Sequence, residues 1–129
     1  MTKIEAIEQQ IQEASILLLP FDFEDTPLKA LYSNGVIGLS PNIKNTAEKR
    51  CILAEEYCHH CYSVGNILCD CKQEAFARRK SYEMLVPLCL LREAEKDGCR
   101  TVYEFAEYLE VTEEVLILAL AHYRAKGLI

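Results

Sequence analysis

The chain has 129 residues, of which 50% are hydrophobic and 26% charged, a composition typical of one globular domain with a single core. Its formal net charge of −6 argues against general nucleic-acid binding, because that function needs a basic surface to neutralise phosphates. The apolar run at residues 16–19 is far too short to span a membrane and is followed at once by Pro20.

The cysteine content and the first residues bear on the compartment. Seven cysteines is a high and odd number. Glu5 comes before any apolar segment, which is unlike a secretory signal peptide. We therefore predict a cytoplasmic protein with reduced thiols rather than a disulfide framework.

The beginning of the chain predicts one helix. Ile4, Ile7 and Ile11, with Leu18 behind them, repeat at helical spacing. This pattern indicates an amphipathic helix that Pro20 ends.

A hairpin and a second helix are predicted next. Asn34-Gly35 between two apolar runs is a strong hairpin signal, because both residues tolerate positive φ. Asn45 can cap the following helix, with Glu48 three residues on, and this helix should end near residues 65–66.

The second half of the chain predicts helices only. One is broken by Pro87 and the next stops at Gly98, while Thr101 and Thr112 can cap two more, the last ending at Gly127. The whole pattern predicts a mainly helical α+β domain with a small hairpin, in which residues 96–129 form a C-terminal helical hairpin packed on the same domain.

The chemistry is concentrated in the second predicted helix. On a helix, Glu55 and His59 are four residues apart and project from one face, with Glu56 about a quarter-turn aside. That is the geometry of H-E-x-x-H, in which residues i and i+4 hold zinc and the intervening Glu is the general base, but here the first His is Glu55. A hydrolytic zinc needs about three protein ligands, and Glu74 could supply the third. A solvated helix surface is the plain alternative.

Two segments carry a resemblance to a known family. Residues 51–59 resemble the L-A-H-E-x-G-H segment of the ImmA/IrrE family of zinc metallopeptidases. That family's second signature, Glu-x-x-Ala-Asn before Leu-Leu-x-Pro, is similar to Glu-Ala-Phe-Ala-Arg at residues 74–78 and Met-Leu-Val-Pro at residues 84–87. The resemblance covers residues 1–95 and implies a zincin-like metallopeptidase domain over them.

The resemblance also implies roles for individual residues. It makes Glu55, His59 and Glu74 the metal ligands and Glu56 the base that takes a proton from the attacking water. His60, Tyr62 and Arg78 are candidates for contacts to the ligands or to the transition state, although a structural or surface role is simpler for each.

Three positions depart from the family pattern: Glu55 replaces His, Cys58 replaces Gly and Arg78 replaces Asn. Two carboxylates are harder ligands than imidazoles, so the metal could be manganese or iron rather than zinc. They also make the metal a weaker Lewis acid, which favours a slow, narrowly directed peptidase.

The function implied by the resemblance is cleavage, or promotion of cleavage, of a helix-turn-helix repressor of a prophage or integrative element. In zincins a substrate lies extended along an edge strand near the metal helix, and residues 36–40 are our candidate edge. Packing in the core is an equal alternative for those residues.

Three other functions compete with this interpretation. A structural Cys/His zinc module could form from Cys58, Cys61, Cys69 and Cys71 with the neighbouring His59 and His60, although the first cysteine pair falls on a continuous helix. Residues 101–126 have helix-turn-helix spacing, but the acids at 113 and 114 would repel phosphates. Loss of the first His also allows a catalytically silent relative that binds the repressor without cleaving it.

Overall fold

A computed structural model describes residues 2–24, 26–43, 45–62 and 70–129, with the side chains of residues 70 and 71 outside the description. Within those residues the chain forms six helices and a three-stranded sheet. In chain order the elements are α1 (Lys3–Glu13), β1 (Leu17–Pro20), β2 (Ala30–Ser33), β3 (Val36–Leu39), α2 (Thr46–Tyr62), α3 (Asp70–Leu85), α4 (Leu88–Lys96), α5 (Val102–Leu109) and α6 (Glu113–Ala125). The predicted mainly helical α+β fold is confirmed.

The first helix is shorter than predicted. It ends at Glu13, and Ser15 adopts a left-handed conformation with φ of 62°. Leu18, which we placed on the helix, lies instead in β1, where it pairs with Ile37. An apolar run of four residues fits a buried helix or a strand equally well by periodicity, so the sequence did not distinguish them.

The hairpin is confirmed and has the expected turn. Asn34 and Gly35 have φ of 47° and 82°, the two positive values that a tight turn matched to strand twist requires. The strand order is β1-β3-β2, with β3 parallel to β1 and antiparallel to β2. Because β3 is paired on both sides, the prediction that residues 36–40 form a substrate edge is wrong. The free edge beside α2 belongs to β2.

The helix caps agree with the sequence. The Asn45 side chain accepts hydrogen bonds from the amides of Ala47 and Glu48 at the start of α2. Thr101 and Glu104 form a complete capping box, and Thr112 caps α6. The predicted end of α2 near residues 65–66 lies outside the described residues.

The C-terminal helices pack on the body of the domain. Leu109, Leu116 and Ala119 are buried in the same core as Ile11 and Leu53. Arg50 of α2 donates hydrogen bonds to the carbonyls of Leu109 and Glu110, in the turn between α5 and α6. None of the helices among the described residues has the length and apolarity of a membrane span.

Candidate metal centre

The rotation of α2 is fixed by its buried face. Leu53, Ala54 and Cys58 are at most 2% exposed, so the face that carries Glu55 and His59 turns away from the core. Helix α3 packs along α2 and brings Glu74 to that face. Burial of one side of α2 therefore presents its acids and His59 to a cleft.

Glu55, His59 and Glu74 come together. Each offers one ligand atom, and these atoms all lie within 4.8 Å of one another. A tetrahedral ion with bonds of about 2.1 Å separates its ligand atoms by about 3.4 Å, so small side-chain rotations suffice for the three to share one cation. Two carboxylates and an imidazole suit a divalent ion, and in the described part of the chain they are the one such group.

Arg78 lies between the two candidate carboxylate ligands. Its Nε donates to Oε1 of Glu55 at 3.3 Å, and its Nη2 donates to Oε1 of Glu74 at 3.3 Å. Burial works to lower the pKa of Arg78, but the hydrogen bond and charge of Glu55 outweigh it and raise that pKa. The guanidinium is therefore a permanent positive charge beside the candidate metal centre.

Glu56 is the half-buried acid next to this group. Burial, the charge of Glu55 and that of Glu74 raise its pKa from 4.5 to about 7, against the opposing effect of a hydrogen bond from the Tyr32 backbone. In the metal-free protein the Glu56 carboxyl therefore keeps its proton to a higher pH than an ordinary glutamate does.

The raised pKa of Glu56 predicts a pH dependence of the metal-free protein. An acid whose pKa is higher folded than unfolded binds protons more tightly in the folded state, so the free energy of unfolding falls as the pH rises from 4.5 to 7. Glu56→Gln should remove about 1–2 kcal/mol of that fall, less than full burial would give because Glu56 is partly exposed. Urea denaturation at several pH values measures it, with the exposed Glu107→Gln as the control. Parallel pH profiles for wild type and Glu56→Gln would contradict the prediction.

His60 and Tyr62 lie apart from the ligand group. His60 Nδ1 is 2.7 Å from the hydroxyl of Tyr32, which also accepts the amide hydrogen of Gly35. His60 thus ties the end of α2 to the hairpin. Tyr62 is 42% exposed and stacks edge-on against Phe76. These contacts fit structural roles, and a role in the transition state stays a prediction for both.

Sequence reasoning missed Tyr32, although this residue links the hairpin to the candidate site. Its backbone hydrogen-bonds Glu56 and its hydroxyl contacts His60. The available signal was an aromatic residue two positions before the Asn-Gly turn, which places it on the first strand of the hairpin.

The cysteines give the competing zinc module little support. Cys58 is buried, and burial together with the charge of Cys61 raises its pKa to about 12, so it packs as a neutral thiol. Cys61 is exposed and, like Cys58, is a free thiol. Cys69 and the side chain of Cys71 lie outside the described residues, and the four-cysteine site stays untested.

The candidate centre opens into a cleft of about 1150 Å³ between β2, α2, α3 and α6. Along α2, the cleft is lined by Glu48, Ile52, Glu55 and His59, at helical spacing. Its far wall comes from α6, through the side chains of Glu114, Val115 and Leu118. The cleft is large enough for an extended peptide segment.

Comparison with known proteins agrees with this geometry. The model of the peptidase M78 family, described as the IrrE N-terminal-like domain, matches residues 4–121 and so includes α2, α3, α5 and most of α6. No curated protein and no solved structure matches the chain. The family is one of metallopeptidases, which accounts for a Glu-His-Glu group in a cleft. The chain belongs to the peptidase M78 family, the ImmA/IrrE family that its two sequence segments resemble.

Proposed function

We propose that this protein is a slow, metal-dependent endopeptidase that cleaves a helix-turn-helix repressor of a prophage or integrative element in the cytoplasm. One observation carries the proposal: Glu55, His59 and Glu74 share a small volume in an open cleft, with Glu56 beside them. The metal would be zinc, with manganese or iron as alternatives that the two carboxylates favour.

The residues of the chain divide the chemistry between them. A divalent metal held by Glu55, His59 and Glu74 would polarise the attacking water and the scissile carbonyl. Glu56 would accept the proton of that water and return it to the leaving amine. The hydrogen bond from the Tyr32 backbone holds the Glu56 carboxylate toward the β2 side of the cleft.

We assign the substrate edge to β2. The amide of Ser40 donates to the carbonyl of Lys29 at 2.8 Å, so Lys29 and Ser40 are a hydrogen-bonded pair of the antiparallel ladder. The next pair, Ala30 and Leu39, is then not hydrogen-bonded, and the amide and carbonyl of Ala30 point outward. These two groups could pair with an extended peptide in the cleft.

The orientation of β2 along α2 sets the direction of a peptide that pairs antiparallel to it. Lys29 forms an ion pair with Glu48 near the start of α2, whereas Tyr32 contacts His60 near its end. A peptide antiparallel to β2 would enter at the His60 end and leave towards Glu48. Its residues after the scissile bond would then lie beside a mainly apolar surface formed by Ile52, Val115 and Leu118.

A proline at position 30 tests the edge. Ala30→Pro deletes the outward amide and leaves the β2–β3 ladder intact, because edge strands accept proline where no ladder bond is lost. We expect kcat/KM for a cleaved peptide to fall about tenfold, near the worth of one hydrogen bond in a dry site, with metal content unchanged. Leu31→Ala, on the opposite face of the strand, is the control. Equal kcat/KM for Ala30→Pro and wild type would remove β2 from substrate binding.

The experiment for the proposed function uses the repressor as substrate. A purified helix-turn-helix repressor of a prophage or integrative element is incubated with the metal-loaded protein, and fragments are mapped by mass spectrometry. We expect one or a few cuts, absent with Glu56→Gln. A repressor that forms a complex and stays whole would instead establish the silent binding relative, which the pairing of Arg78 with both carboxylates also favours.

A further inference from the structure

Arg78 has an unusual position for a surface arginine, because it bridges two carboxylates from different helices. Glu74 lies one helical turn before it on α3, so their 3.3 Å contact follows from the i,i+4 spacing. Glu55 lies across the helix–helix interface on α2, also at 3.3 Å. Arg79, the next residue, points elsewhere and lies over the ring of Phe76. Only one of two adjacent arginines therefore contacts the candidate centre.

The charges of the site explain why a cation is useful there. Glu55 and Glu74 each contribute −1 and a neutral His59 contributes 0, giving −2 for the ligand set. A set of two histidines and one glutamate, common in hydrolytic zinc sites, carries −1. The +1 of Arg78 returns the total for this site to −1. Arginine suits the task because it stays charged and its planar fork can contact two carboxylates at once.

We infer that Arg78 is a positioning residue that compensates the extra carboxylate of Glu55. In the metal-free protein it holds Glu55 and Glu74 together against their mutual repulsion. A metal ion must take these carboxylates from it, so Arg78 also weakens metal binding. This inference rests on the proposed metal site. It adds a positively charged side chain that limits the affinity of that site for the metal ion.

A double-mutant cycle of Arg78→Gln and Glu55→His tests the inference without an activity assay. Zinc affinity is measured by competition with a fluorescent chelator, and the melting temperature of each metal-free protein by calorimetry. Arg79→Gln is the matched control, since it removes the same charge from the same helix without touching Glu55 or Glu74.

Arg78→Gln alone should tighten zinc binding about tenfold, the size expected when a partly exposed charge a few ångströms from a dication is removed. It should also lower the melting temperature of the metal-free protein by about 2–4 °C, because the carboxylates lose their partner. With Glu55→His present, Arg78 keeps its repulsion of the dication and its contact with Glu74 but has no carboxylate at position 55 to compete for, so the same change should alter affinity only about threefold and lower the melting temperature by less than about 1 °C. Arg79→Gln should be near neutral in both backgrounds.

Two results would overturn the inference, and they separate it from the proposed function. If Arg78→Gln had the same effects with Glu55 and with His at position 55, Arg78 would not compensate the charge of Glu55. The proposed function would still stand in that case, because the wild type binds zinc. Absence of zinc binding by the wild type would remove both.

Discussion

Glu56→Gln should reduce the rate of peptide cleavage by about 10²–10⁴-fold, the usual contribution of a general base, while metal content stays at the wild-type level. The substitution keeps the size of the side chain and its contact with the Tyr32 backbone, but the amide cannot accept a proton. Glu56 does not belong to the candidate ligand group, whereas its neighbour Glu55 does. Loss of cleavage with retained metal would therefore indicate a role of Glu56 in proton transfer, because loss of a ligand would also release the metal.

The control for this variant is Glu48→Gln. Glu48 lines the same cleft near the start of α2 and forms an ion pair with Lys29. The substitution removes one carboxylate from the cleft without touching the candidate centre, so cleavage should change less than about threefold, as for a surface ion pair. If Glu56→Gln cleaves at the wild-type rate, another group is the base.

His59→Ala should weaken metal binding at least about 100-fold, because it removes one of three protein ligands and leaves two carboxylates that are both paired with Arg78. Chelator competition gives the affinity directly. Folding should be kept, since His59 faces the cleft and Leu53 and Cys58 fill the core side of the helix.

The neighbouring histidine provides the matched control. His60→Ala loses its hydrogen bond to Tyr32 and should cost about 1 kcal/mol of stability, with metal affinity close to wild type. If His60→Ala lost the metal and His59→Ala kept it, the candidate ligand set would be wrong.

The local part of the site could be predicted from the sequence. Glu55, Glu56 and His59 needed only helical periodicity, because the helix itself places residues four apart on one face. The hairpin at Asn34-Gly35 and the caps at Thr101 and Thr112 were also local, since turn and cap residues act through their own backbone. Glu74 lies on another helix; the need for a third ligand and the family resemblance suggested it, but its proximity to Glu55 and His59 depends on the packing of α3 against α2.

Long-range pairing was the part that the sequence did not determine. A hairpin signal says that β2 and β3 are partners, but not that β1 joins the other side of β3 in parallel. That one pairing moved the free edge from residues 36–40 to β2. Ser15 gave no glycine or proline signal for its left-handed turn, so β1 was taken for the end of α1. Arg78 was a candidate for pairing with Glu74 or Glu55, but its contact with both at once required the packing of α2 against α3.

The measurement that tests the account most directly is the metal content of chelator-free protein by mass spectrometry, for wild type, Glu74→Ala and Glu107→Ala in parallel. Glu107 is an exposed acid on α5 and controls for the loss of one carboxylate. We expect one equivalent of metal in wild type and in Glu107→Ala, and none in Glu74→Ala. Metal retained in Glu74→Ala, or absent from wild type, would contradict a metal centre formed by Glu55, His59 and Glu74.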